Sequence, residues 1–191
     1  MDAAQVQKLA LKDEMAAAVW MRLCRRACFE QIRFPVGRNY EDIAVTFLPF
    51  EHAEKVGFLD RPFYNYRINK SGIAHQKKPL TRYQMFLSYR DCFDYACRHV
   101  PEVAGEIGSL TARFALGACL DREIEESEEL NRLCPEAEAF LEQHRERLLK
   151  EWNMSRKLRL SFQAYFHAGR LLTKSYALAL PLLKKRWSRQ S

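Results

Sequence analysis

The sequence predicts an α+β fold, predominantly α, in which a few short strands precede a long helical region. Three observations carry this. Residues 55 to 68, KVGFLDRPFYNYRI, are dense in β-branched and aromatic side chains, and from Tyr64 they alternate with period two. From residue 81 onward the apolar residues recur at helical spacing. The chain has 191 residues, 48% of them hydrophobic and only 7 of them Gly, so it can bury a core and reads as ordered. The expected organisation is a mixed segment over 1–80, a helical region over 81–155 and a basic amphipathic helical tail over 156–191.

Taken in order, the first 15 residues carry Val6, Leu9 and Leu11 and suit a short helix. A small apolar segment follows around Trp20, then a basic cluster of Arg22, Arg25 and Arg26, then a helix-like turn that ends before Pro35. Residues 40 to 54 are expected to be helical, because Tyr40, Ile43, Phe47 and Phe50 share a face and acidic residues open the first turn; Pro49 should kink or shorten this helix. Asp60-Arg61-Pro62 offers a turn inside the strand region, and residues 69 to 79 read as a basic loop that could hold an anion. A helix over 81–99 has two apolar faces, one with Met85, Tyr89, Cys92 and Ala96, the other with Tyr83, Phe86, Leu87 and Phe93. Two more are expected, from about Pro101 to Arg122 and from Pro135 to Trp152, each with Pro at its start.

The six cysteines fall at irregular spacing without a CxxC pair, which points to reduced, mostly buried thiols in a cytoplasmic protein. The longest uncharged apolar run, SYALALPLL at 175 to 183, is too short to cross a bilayer, so no membrane span is expected. The net charge of +7 is unevenly placed. Beyond Trp152 there are nine Lys or Arg and no acid, leaving 22 basic against 24 acidic residues in the rest of the chain.

Glu41 and Asp42 can be read in two ways from residue chemistry alone. Carboxylates in a first helical turn interact favourably with the helix dipole, by roughly 0.3–1 kcal/mol, and need no other purpose. A carboxylate held there is also ionised at neutral pH and suited to general-base work.

The wider string from Val19 to Ile73 resembles the acceptor-side half of family 2 glycosyltransferases of GT-A type. The matching residues, in order and at similar spacing, are Trp20, Leu23, Arg25, Arg26, Phe29, Arg33, Phe34, Pro35, Gly37, Tyr40, Glu41, Asp42, Ile43, Tyr64, Tyr66, Arg67 and Ser71. Met21-Arg22 departs from the usual Asn-Lys, and Cys24 from the usual aromatic. The resemblance implies inverting transfer of a sugar from a nucleotide sugar to a glycan or lipid-linked acceptor. It implies Asp42 as the catalytic base with Glu41 beside it, Trp20 and Arg22 on the acceptor side, and Arg67, Ser71 and His75 on the donor diphosphate. A complete enzyme of this kind uses Mn²⁺ or Mg²⁺ held by an Asp-x-Asp motif. No Asp-x-Asp occurs in this sequence, so the chain is expected to be the C-terminal portion, without the nucleotide-binding half or a metal site, and inactive alone.

The tail gives a second signal. Leu158, Phe162, Tyr165, Phe166, Leu172 and Tyr176 can line one helix side among basic residues, which suits an anionic membrane surface and a cytoplasmic protein peripheral at the inner face of the membrane. The same pattern suits a last helix packed on the domain. The alternative function is therefore a non-catalytic helical module that binds a partner or a membrane through its tail. Self-association is a further option for an incomplete sheet edge, and no nucleic-acid partner is expected, because no recognised motif is present.

Overall fold

The computed structural model describes residues 1–67, 80–125 and 127–167. The protein is predominantly helical. Its helices are α1 (Ala3–Leu11), α2 (Thr81–His99), α3 (Ala104–Glu125), α4 (Glu128–Gln143), α5 (Arg145–Lys150) and α6 (156–167). They fall into two compact units, one formed by Met1–Lys78 and Leu87–Ile107, the other by Pro79–Phe86 and Gly108–Ser191.

In the first unit, α1 buries Val6 and Leu11, while the later part of α2 buries Tyr89, Cys92, Phe93 and Ala96. Short 3₁₀ turns at Val19–Met21, Arg26–Phe29 and Leu48–His52 connect them. Two sequence expectations fail here. The helix over 40–54 does not form. Tyr40 is left-handed (φ 63°), and Val45 and Thr46 N–H both return to the Asp42 carbonyl, at 3.2 and 2.9 Å. The β-branched run Ile43, Val45 and Thr46, followed by Pro49, then favours tight turns over a continuous α-helix. Glu41 and Asp42 are consequently not at a helix mouth.

The strands over 55–68 also fail to form among the described residues. Residues 53–67 form no regular element, with bends at Glu54 and Arg61, and among the described residues their sole pairing is one antiparallel bridge between Asp2 and Lys55, where the terminal amine donates to the Val56 carbonyl at 2.9 Å. A segment becomes a strand only beside another, and among the described residues nothing pairs with it beyond that bridge.

The second unit is built from α3 beyond Ile107, α4 to α6 and the first turns of α2. Phe86, Leu130, Leu141, Leu148 and Phe162 are fully buried in it. Trp152 lies flat on Gly108, where a Cβ would stand 2.4 Å from a ring carbon, so the indole needs the missing side chain. The helix expected from Pro135 to Trp152 begins seven residues earlier and ends sooner. Ser127 accepts from Leu130 N–H at 3.4 Å and Glu128 and Glu129 fill the first turn, so the cap outranks proline as the start signal. Pro135 sits inside α4, and His144 breaks the run before α5. By contrast, α1, α2 and α3 lie close to their predicted places.

Pro101–Ile124 is, among the described residues, a helix long and apolar enough to cross a membrane. Its Ile107, Thr111, Ala112, Ala115, Ala118 and Cys119 are instead buried within the protein. The described start of the basic tail is likewise packed: Phe162 is fully buried, Arg159 donates to the Leu149 and Trp152 carbonyls, and Phe166 lies beneath Arg145. Leu172 and Tyr176 lie outside the described residues.

Candidate functional site

The turn that carries Glu41 and Asp42 is held from one face of α2. Ser88, Asp91 and Cys92 stand at i, i+3 and i+4, and so project together. Asp91 pairs with Arg38 at 2.5 Å, Ser88 Oγ donates to the Tyr40 carbonyl at 2.8 Å, and Cys92 Sγ donates to the Ile43 carbonyl at 3.3 Å. Gly37 adopts its positive φ of 77° freely, whereas Tyr40 pays for its own. A bulky residue in that region costs about 1–3 kcal/mol and persists only where the surroundings over-determine it. Removing one clamp tests this. Ser88→Ala is expected to lower stability by about 1 kcal/mol and to speed amide exchange over residues 40–46, measured by hydrogen exchange; unchanged protection there would mean the clamp is unimportant.

Asp42 is half-buried, and its Oδ1 accepts from the Ile43 N–H at 2.9 Å. Burial raises its pKa above the ordinary carboxylate value and Glu41 adds to this, while the Ile43 N–H and Arg22 oppose it. The result is a better proton acceptor than a solvated aspartate. Arg22 is fixed nearby. It donates to the Thr46 carbonyl at 2.6 Å and the Ala16 carbonyl at 2.5 Å, and its guanidinium lies 5.4 Å from the centre of the Phe50 ring. Burial lowers the Arg22 pKa, and the negative forms of Cys24 and Asp42 act the other way.

Two residues before Arg22, Trp20 is 47% exposed and faces two rings from the extended segment. Tyr66 is stacked on it, with centroids 5.8 Å apart and planes 14° apart, and Tyr64 is tilted at 6.2 Å. Both tyrosines are also exposed. An exposed cluster of aromatic faces can hold the C–H face of a sugar ring, or another flat partner.

Of the sequence-predicted residues, the structure brings Arg22 into the field of Asp42 and places Glu41 beside it. Trp20 stands two residues before Arg22 in the chain and packs with Tyr64 and Tyr66. Arg67 is exposed, at the end of the same extended segment. Ser71 and His75 lie outside the described residues. Sequence reasoning passed over Ser88 and Asp91 and read Cys92 only as part of an apolar face; the signal was a small hydroxyl and an acid interrupting the apolar pattern of α2. Among the described residues no three His, Cys, Asp or Glu side chains converge as metal ligands, so these residues do not fit the divalent cation that the resemblance implies.

No family model matches the chain, and no curated protein or solved structure gives a significant match.

Proposed function

We propose that this chain is the acceptor-side part of a family 2 type glycosyltransferase of GT-A architecture. Trp20, with Tyr64 and Tyr66, holds the acceptor sugar. Asp42 takes the proton of its hydroxyl as that oxygen attacks the anomeric carbon of a nucleotide sugar, which inverts the centre and releases the nucleoside diphosphate. The donor is bound by a separate nucleotide-binding half. The observation that carries the reading is Asp42 itself: half-buried, raised in pKa, and set in a strained turn clamped by three residues of α2.

Residues 57–67 support the missing half. They make no hydrogen bond to another described residue and expose Phe58, Leu59 and Phe63. Eleven residues with strand-like side chains and backbone groups unpaired among the described residues suit a strand that lacks its sheet. In this proposal the nucleotide-binding half supplies that sheet, and the GT-A strands form only in the joined enzyme.

The test is isothermal titration of the purified chain with neutral oligosaccharides, and separately with UDP- and GDP-sugars in Mn²⁺. Glycan binding is expected, weakened by about tenfold or more in Trp20→Ala, as for an aromatic anchor, and kept in Asp42→Asn. No heat with any glycan from a folded sample would overturn the acceptor assignment.

A further inference from the structure

The second unit buries a group of ionisable side chains that the proposed transfer does not use. Cys119 on α3 is 1% exposed and Cys134 on α4 is 0%. Cys134 Sγ donates to the carbonyl of Ala118, the residue before Cys119, at 3.4 Å, and the Cys119 thiol donates to the Cys134 sulfur. The Tyr165 hydroxyl of α6 bonds to Cys119. Arg122, one turn beyond Cys119, donates to Glu138 at 2.7 Å and to Glu123 at 3.0 Å. Apolar groups of equal volume would fill this space without the desolvation cost of a phenol and a buried ion pair.

We propose that Cys119 and Cys134 are a dithiol that hydroperoxides oxidise to an intramolecular disulfide joining α3 to α4. The Cys134 thiolate attacks one peroxide oxygen. The O–O bond breaks, the departing hydroxide takes a proton and leaves as water, and Cys134 becomes a sulfenic acid. The Cys119 sulfur then attacks that sulfur, an S–S bond replaces the S–O bond, and a second water leaves. Two thiols lose two electrons and two protons, and hydrogen peroxide is reduced to two waters.

The surroundings favour this division of labour. The Cys119 S–H lowers the Cys134 pKa, with help from Arg122 against burial, while the bond to Cys134 and burial raise that of Cys119. The thiolate is the nucleophile, so Cys134 reacts first. Both sulfurs are shut from solvent, so oxidant reaches them through local opening of the helices. The same burial keeps foreign thiols out, and the sulfenic acid meets Cys119 before any other partner. The reaction at this pair is therefore limited by that opening, and it ends inside the chain.

The experiment treats the full chain with hydrogen peroxide, blocks remaining thiols after unfolding, and maps peptides without reduction. The expected result is a loss of two hydrogen masses, a cross-linked peptide joining Cys119 to Cys134, and reversal by dithiothreitol. The link should persist in Cys97→Ala and vanish in Cys119→Ala. Recovery of both cysteines as alkylated thiols from the treated wild type would overturn the proposal, as would their conversion to sulfinic acid without a link or a link to Cys97. These readouts come from the wild type, so the proposal stays falsifiable even where a cysteine variant fails to fold.

Discussion

Under the transferase reading proposed above, Asp42→Asn is expected to reduce sugar transfer by about 10²–10⁴-fold once the donor-binding half is supplied, the range for removing a positioned general base, while glycan binding by the isolated chain is unchanged. The amide keeps the shape and can still accept from the Ile43 N–H, so the loss would belong to proton transfer. Stability gives an independent readout with a definite sign. The folded pKa of Asp42 lies above its unfolded value of about 3.8, chiefly through burial. Between those two values the folded state binds more protons than the unfolded one, so stability falls as pH rises through that window. The contribution is full below the unfolded pKa and lost above the folded one. Chemical denaturation from pH 3.5 to 7 should therefore show the wild type losing ground to Asp42→Asn as pH rises. A wild type that gains on the variant would mean the carboxylate is stabilised in its turn, and the description of Asp42 as a desolvated base would be wrong.

Phe86→Ala should produce the largest single loss of stability, about 3–5 kcal/mol, the usual cost of deleting a fully buried aromatic ring. Phe86 is inaccessible to solvent and packs between Tyr83, at 5.9 Å, and Phe140, at 5.7 Å in an edge-to-face arrangement. The Tyr83 hydroxyl is tied to Glu136 of α4, so its ring has little freedom to close the cavity. Phe86→Leu keeps most of the volume and should cost clearly less. A double-mutant cycle with Phe140→Ala should return a coupling of about 0.5–1.5 kcal/mol for the ring pair. Urea unfolding with an unchanged slope would measure all three. A Phe86→Ala loss below about 1 kcal/mol would mean the second unit repacks as a fluid core, contrary to the interlocked arrangement seen here.

How much of this was legible in the sequence varies by element. The 81–99 helix was readable because two apolar stripes at helical spacing need no outside partner to declare themselves, and α2 buries Tyr83, Phe86, Tyr89, Cys92, Phe93 and Ala96 as that pattern requires. The start of α4 was misread because Pro135 looks like a helix opening, while the signal that prevails, Ser127 with Glu128 and Glu129, lies seven residues upstream. Residues 40–54 show the limit of periodicity: their apolar spacing is helical, but Tyr40 in the left-handed region turns the chain first.

The candidate site divides along the same line. The sequence by itself determined which groups were available: the Glu41-Asp42 pair, Trp20 and Arg22, and the alternation that puts Tyr64 and Tyr66 on one side of an extended segment. Those are properties of side-chain chemistry and of local backbone period, which travel with the chain. Only the tertiary structure decided that Asp42 is half-buried with a raised pKa, that α2 clamps its turn, that Trp20 stacks on Tyr66, and that Cys119 meets Cys134. Burial, ring stacking and thiol contact arise between segments far apart in the chain, and no local pattern encodes which of them will share a dielectric environment. Residues 55–67 have strand character in their side chains, but a strand is a relation between two backbones, and among the described residues only the bridge of Lys55 to Asp2 supplies one.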